Sequence, residues 1–273
     1  MEIIYIIIIL LIILLTISII YSYINIDITN YTIKDNRIDK DIKIIFLSDL
    51  HNRNILKKLE NAINIIKPDI ILFGGDMINE SKNEYKNFFE LYNILKEYPL
   101  YYTFGNHEER LNIEDKEMFN KLLKKTDINL LNNTFKKISN NIILLGLDNE
   151  IDTYLKFGKK GLSEKYISNK LGNIDDKKYT ILLAHNPLEF NSYVKYGPSL
   201  VLSGHIHGGL ARIPGLKGVL SPDYTFFPKY DSGEYNSKNT KMIVSRGLGF
   251  SKRLPFRINN PAEIVVINLK KEI

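Results

Sequence analysis

A run of about eighteen uncharged residues, nearly all Ile and Leu, extends from Ile3 to Ile20 without a polar face. A helix of that length crosses a hydrocarbon core, whereas a core helix of a globular body should carry a polar stripe. A cleaved signal peptide should show a basic leader and a small-residue cleavage site. Glu2 is the only charged side chain ahead of the run, and "SIIYSYIN" has no suitably spaced small pair. The preferred reading is therefore an uncleaved single-pass anchor over residues 1–23, with Tyr21 and Tyr23 at the interfacial aromatic belt. Residues 24–41 read as a polar connector. Its cations, Lys34, Arg37 and Lys40, are followed by Lys43 and lean the body toward the cytoplasm by the positive-inside rule. Asp27, Asp35, Asp39 and Asp41 are interleaved with them, so the lean is slight.

From residue 42 to 271 the pattern changes to short apolar strands that run into polar or glycine-rich turns and then into amphipathic helices. "IKIIFLSDLH" precedes "ILKKLENAINIIK", "DIILFGGD" precedes "NEYKNFFELYNILKEY", and "PLYYTFGNHEE" precedes "EDKEMFNKLLKK". Apolar positions in the second member of each pair recur at three and four, the period of a helix with one buried face. A hairpin-like pair, "NTFKKIS" and "NIILLGLD", interrupts the alternation, which resumes with "YTILLAHNP" and "SLVLSGHIHGG". "KMIVSRG" and "AEIVVINLK" then add strands without helices between them. This is an α/β pattern with mixed sheets, two of them packed face to face with helices outside. The longest irregular stretch is expected over residues 208–239.

Composition narrows the chemistry. There is no cysteine, so disulfides and thiolate metal sites are excluded, and any metal must be held by nitrogen and oxygen. The net charge of +6 suits anionic partners, but it does not choose among nucleic acid, phospholipid headgroups and phosphorylated sugars.

All five histidines fall just past predicted strands: His51 after "FLSD", His107 after "YYTFGN", His185 after "TILLA", and His205 and His207 after "LVLSG". Asp49, Asp76 and Asn106 occupy equivalent places, at the strand ends where open α/β sheets build their sites. A lone histidine there is commonly an ordinary turn residue, yet that explanation must put every histidine of the chain at one edge by accident. Imidazole, carboxylate and carboxamide donors suit Mn first, with Zn, Fe, Co or Ni as alternatives; an all-oxygen shell would suit Mg or Ca. Such donors exceed the needs of one ion. Two ions about 3.5–4 Å apart can share a carboxylate and a bridging hydroxide that attacks a phosphoryl group. Asp76, preceded by Gly74 and Gly75, is the candidate bridge. His205 and His207, alternate residues of an extended segment ending in a glycine-rich turn, are expected to reach two adjacent ions.

The blocks "SDLH", "GGDM", "GNHE", "AHNP" and "SGHIHGG", in this order, resemble the five signature blocks of the calcineurin-like metallophosphoesterases. The likeness covers about Ile42 to Lys270. "FFPKYDSGEY", "SRGLG" and "NNPAEIVVINL" resemble more narrowly a membrane-associated bacterial subgroup of YkuE-type phosphodiesterases and LpxG-type UDP-2,3-diacylglucosamine pyrophosphatases. The resemblance implies a four-layer α-β-β-α sandwich with a dimetal centre at the sheet edge. It implies that Asp49, His51 and His207 hold one ion, that Asn106, His185 and His205 hold the other, and that Asp76 bridges them. His107 matches the non-ligand histidine that protonates the leaving group or orients the phosphate.

Relatives commonly carry a small polar residue between the paired histidines and Gln after the glycines, where this chain has Ile206 and Leu210. Asn52 and Arg53 lie where the subgroup varies. These departures bear on substrate rather than on metal. For substrate, "KMIVSRGLGFSKRLPFR" sets Lys241, Arg246, Lys252, Arg253 and Arg257 among Phe250, Leu254, Pro255 and Phe256 with no acid. It reads either as a solvated loop or as an amphiphilic rim for a membrane or a lipid-linked phosphate. The expected function is a membrane-anchored, dimetal phosphoesterase acting on a phosphodiester or pyrophosphate bond of a small phosphorylated or lipid-linked substrate, with envelope-lipid or cell-wall metabolism as its setting. The alternatives are a nuclease acting on DNA or RNA, disfavoured by the anchor, and a metal-stabilised scaffold, which should lack parts of the site.

Overall fold

A computed structural model describes residues 1–81, 84–148, 151–154, 161–213, 216–250 and 255–272. Helix α1 (Glu2–Ile24) is solvent-exposed along nearly its whole length, and Ser22 is its buried residue. Its 23 residues reach about 34 Å at the helical rise of 1.5 Å per residue, long and apolar enough to cross a membrane.

The segment expected as a connector contains a strand. β1 (Ile26–Asp35) pairs in parallel with β12 (Ala262–Lys271), from Ile26 opposite Ala262 to Asp35 opposite Lys271. Its inward face is made of Thr29, Tyr31 and Ile33, while alternate residues are exposed. With only two large apolar side chains on that face, the period-two signal is weak.

The first sheet continues with β2 (Ile42–Leu47), β3 (Ile70–Phe73), β4 (Leu100–Tyr102) and β5 (Asn129–Leu130), in the order β1-β12-β2-β3-β4-β5. The second holds β6 (Thr134–Lys137), β7 (Ile142–Leu147), β8 (Tyr179–Ala184), β9 (Leu200–Ser203), β10 (Gly233–Ser237) and β11 (Thr240–Val244), in the order β10-β11-β9-β8-β7-β6. β6 and β7 form the expected antiparallel hairpin. β10 falls inside the stretch expected to be irregular. Its sequence "GEYNS" has no apolar alternation, and pairing with β11 defines it.

Alternate strand residues enter different layers, as the pleat requires. Ile44, Phe46, Ile70 and Leu72 meet Leu144, Ile181, Leu183 and Leu202 between the sheets. Ile45, Leu47, Ile71 and Phe73 face outward against α2 (Leu56–Ile66), α3 (Lys86–Leu95) and α5 (Ile113–Leu123). Leu145, Leu182 and Val201 face outward from the second sheet against α6 (Glu164–Leu171) and α7 (Phe190–Tyr196). Three apolar layers between four layers of structure make the α-β-β-α sandwich. The pairs β2–β3, β3–β4, β7–β8 and β8–β9 are all parallel, so each sheet brings its successive carboxyl ends to one edge.

Candidate metal centre

Each chemistry-bearing residue leaves the carboxyl end of a parallel strand: Asp49 and His51 follow β2, Asp76 follows β3, His185 follows β8, and His205 and His207 follow β9. Asn106 and His107 follow β4 and begin the short helix α4 (Asn106–Glu109). Potential ligand atoms converge in three overlapping groups, Asp49–His51–His207, His51–Asp76–His107 and Asp76–His185–His205, with all atoms of a group within 4.8 Å of one another. Nε2 of His51 and Nε2 of His207 face each other at 3.0 Å. His185 Nε2 lies 3.2 Å from Asp76 Oδ2 and 3.7 Å from Asp49 Oδ1.

Several contacts match the needs of a cation. Nδ1 of His185 donates to the Gly74 carbonyl at 2.7 Å, which turns Nε2 toward the cluster. That Nε2 and Oδ1 of Asn106 are buried without a hydrogen bond, a costly state for polar atoms unless something else satisfies them. His51 is similarly oriented through Nδ1, which donates to Asn79 Oδ1 at 3.2 Å. The donor set is nitrogen and oxygen, as expected for a divalent transition metal. The residues fit a dimetal centre.

The backbone at the edge is unusual. Asp49, His51, Asp76, His205 and His207 all have positive φ, between 48° and 72°, a region that non-glycine residues enter at a cost. His205 and His207 thus do not sit on an extended segment; two left-handed residues separated by Ile206 aim the pair. Gly75 has φ +92°, and a Cβ there would lie 2.7 Å from His185 Nδ1. A Cβ on Gly204 would lie 2.3 Å from Asp49 Oδ2. Backbone therefore packs directly against the candidate ligand side chains.

Charge within the cluster is unevenly placed. Burial and the neighbouring His107 push His51 down to about 4, while burial and His185 push His205 down to about 3. Burial and His51 also lower His207, so burial disfavours charge on these three rings and favours the neutral form that binds metal. Burial opposes a charge on His185 as well, yet Asp76 and Asp49 outweigh it and raise that ring to about 10. Burial raises Asp49; in Asp76 the same penalty is outweighed by His185 and His107, which hold the carboxyl well below its usual range. His107 packs edge-on against His51 at 4.4 Å, its amide donates to Asp76 Oδ1 at 2.8 Å, and its Nε2 is 3.9 Å from Asp76 Oδ2.

Some contributors escape the sequence pattern. Glu108 is fully buried and accepts from the amides of Asp76 (2.9 Å), Met77 (2.8 Å) and Gly105 (2.8 Å) and from the Tyr102 hydroxyl (2.7 Å). It joins the β3 and β4 loops that carry Asp76 and Asn106. Burial and the charge of Asp76 push its carboxyl up to about 7. Its position in "GNHE" was the available signal, but its partners are tertiary. A cavity of about 150 Å³ opens over the cluster, with Glu80, Arg110, Tyr154 and Asp223 on its walls beside the predicted residues.

Along residues 241–257, read either as a solvated loop or as an amphiphilic rim, three of the five cations have protein partners. Arg257 is buried, donating to the Gly249 carbonyl at 2.6 Å and lying 3.2 Å from His207 Nδ1. Arg246 pairs with Asp27 and Glu263, and Lys241 pairs with Glu234. Lys252, Arg253 and Leu254 lie outside the described residues. Phe250 stacks on Tyr23 at the end of α1. The departures Ile206 and Leu210 are buried packing residues.

Residues 42–209 match the calcineurin-like phosphoesterase family. A metallophosphoesterase of Campylobacter jejuni is 32% identical over 85% of this chain and 60% of its own length, so the chain spans about three fifths of that relative. YkuE of Bacillus subtilis, also named a metallophosphoesterase, is 28% identical over 90% of this chain and 86% of its own. A zebrafish transmembrane protein with a metallophosphoesterase domain is 28% identical over 84% of this chain and 53% of its own. The five blocks and the donor cluster lie within the matched residues, and the chain belongs to the calcineurin-like phosphoesterases, a family of metal-dependent phosphohydrolases that use two divalent ions.

Proposed function

We propose that this protein is a single-pass membrane phosphoesterase that hydrolyses a phosphodiester or pyrophosphate bond. The observation that carries the reading is the convergence of seven nitrogen and oxygen donors from five strand ends beside one cavity. Asp49, His51 and His207 would hold one ion, Asn106, His185 and His205 the second, and Asp76 would lie between them. Two bound ions supply an activated water as nucleophile and positive charge for the phosphoryl oxygens; Mn suits these donors first.

The chain's own groups do the rest. His107 lines the cavity on the Asp76 side, where it can deliver a proton to the departing alkoxide or phosphate, a contribution of typically 10²–10⁴-fold. Arg110, also on the wall and 3.8 Å from Glu80, offers a cation to the substrate's phosphate. Glu108 fixes the two loops that set the distance between His107 and Asp76. α1 anchors the body, with a slight lean to a cytoplasmic site. Likeness to the membrane-associated bacterial subgroup points to envelope-lipid or cell-wall phosphates.

The test uses the full chain in detergent, reloaded with Mn and offered an aryl phosphodiester and UDP-2,3-diacylglucosamine in parallel, with Asp76→Asn as blank. Preference for the nucleotide lipid supports a pyrophosphatase, and turnover of the diester alone supports a phosphodiesterase. Wild-type rates equal to the blank on both sink the reading.

A further inference from the structure

Six large apolar side chains are open to solvent: Ile213, Leu216, Tyr224, Phe226, Phe227 and Phe256 are between 41% and 69% exposed. Five belong to the loop that follows the His205–His207 pair. That loop is pinned: Arg212 bridges to Gly218 and Leu220 to Phe226, and buried Asp231 accepts from Arg212 Nη1 at 2.7 Å and from the Gly218 amide at 2.8 Å. The aromatic side chains are thus presented outward by a built loop. Large apolar side chains gathered on one exposed loop are unfavourable in water and mark a contact.

What covers it follows from where the loop is tied. Residues 256–260 hold the loop on one side, through the Arg212 amide to the Ile258 carbonyl (2.9 Å) and the Ile258 amide to the Leu210 carbonyl (3.0 Å). On the other they hold the end of α1, through the Asn260 amide to Ser22 Oγ (2.9 Å). That end is itself fixed. Arg53 donates to the carbonyls of Tyr23 and Leu248, both at 2.7 Å, and lies over the Phe250 ring, while Lys58 caps the Ile24 carbonyl. Cations and tyrosines at a helix end are the furniture of a membrane interface.

We propose that this rim is a second membrane contact, its aromatic side chains seated in the interfacial layer of the bilayer that α1 crosses. The proposal rests on the reading of α1 as a membrane span. Tyr and Phe suit that depth, and the rim is continuous with the helix that would enter the same lipid. Pro222 and Asp223 of this loop also line the site cavity, so seating the rim brings the cavity mouth to headgroup depth.

The chain contains no tryptophan, which allows single reporters. Phe226→Trp and Phe227→Trp would be placed singly in the full chain, reconstituted in phosphatidylcholine–phosphatidylglycerol vesicles with plain or brominated acyl chains. Ile9→Trp reports the span, and Phe135→Trp, 52% exposed on β6, reports a surface with no role in the proposal. Loss of emission in brominated vesicles is expected at 9, 226 and 227, with a blue shift at 226 and 227, and none at 135. Quenching at 9 alone overturns the rim and leaves the span standing. No quenching at 9 overturns the span and the rim with it. Equal quenching at 135 and 227 means nonspecific adhesion and also overturns the rim.

Discussion

Leu202 and His205 are three residues apart and follow opposite rules. Leu202, on β9, is fully buried between the sheets among apolar neighbours, in extended backbone paired with Ile243 on one side and Leu183 on the other. His205 has φ +72°, sits against two carboxylates, and is held neutral by burial and a neighbouring histidine. The same contrast repeats along β2, from Phe46 to Asp49, and along β3, from Leu72 to Asp76. Strained residues of this kind cost roughly 1–3 kcal/mol each. Burial of a Leu or Phe side chain contributes a similar amount, roughly 1.5–3 kcal/mol. Each strand therefore divides its labour: the inter-sheet half supplies stability and the carboxyl end spends some of it on geometry.

The largest expected effect that sharpens this contrast comes from Asp76→Asn. It removes the charge placed between both proposed ions while keeping the shape and an oxygen to accept from the His107 amide. Turnover should fall by more than the roughly 10²–10⁴-fold that a proton donor contributes, and metal content measured on the purified protein should fall with it. Full metal occupancy with normal turnover would separate the edge from catalysis. Next comes His107→Ala, with a loss of about 10²–10⁴-fold and both ions retained; loss of an ion would make His107 a ligand.

A core substitution should do the reverse. Leu144 is fully buried between the sheets on β7, a strand that carries no proposed ligand. Leu144→Ala should cost about 2–5 kcal/mol of stability, seen as a lower midpoint in denaturant, while turnover per folded molecule stays within about twofold of wild type. A specific loss of turnover in folded Leu144→Ala would mean that the core tunes the site.

The two regions were not equally legible in the sequence. Most strands and the proposed ligands were readable because apolar runs ending in Asp, Asn or His repeat at strand ends, and each such end is a local signal. β1 was not, because its inward face offers only Thr29, Tyr31 and Ile33 and its pairing with Ala262–Lys271 spans nearly the whole chain. Glu108 carries no comparable local signal, because its partners, the amides of Asp76 and Met77, come from a different strand end. Arg246 and Arg257 looked like a solvent rim because the acids that hold Arg246, Asp27 and Glu263, lie on β1 and β12. Local pattern reveals which residues can do chemistry, and long-range partners decide which cations remain free for it.

The smallest effect gives the sharpest separation. Ions that bind only the folded edge stabilise it by mass action, about 2.7 kcal/mol when free metal is one hundred times its dissociation constant. Chelation should therefore lower the wild-type melting temperature. Asp76→Asn, with its centre disabled, should melt at nearly the same temperature with and without chelator. Leu144→Ala should start lower and still lose the wild-type increment, because distant, independent sites add to within about 0.3–0.5 kcal/mol. If the increment shrinks in Leu144→Ala, core and edge are coupled through the strands and the division of labour fails. If it survives there and vanishes in Asp76→Asn, the strain and buried charge of the edge are offset by metal, independently of the packing that holds the sheets together.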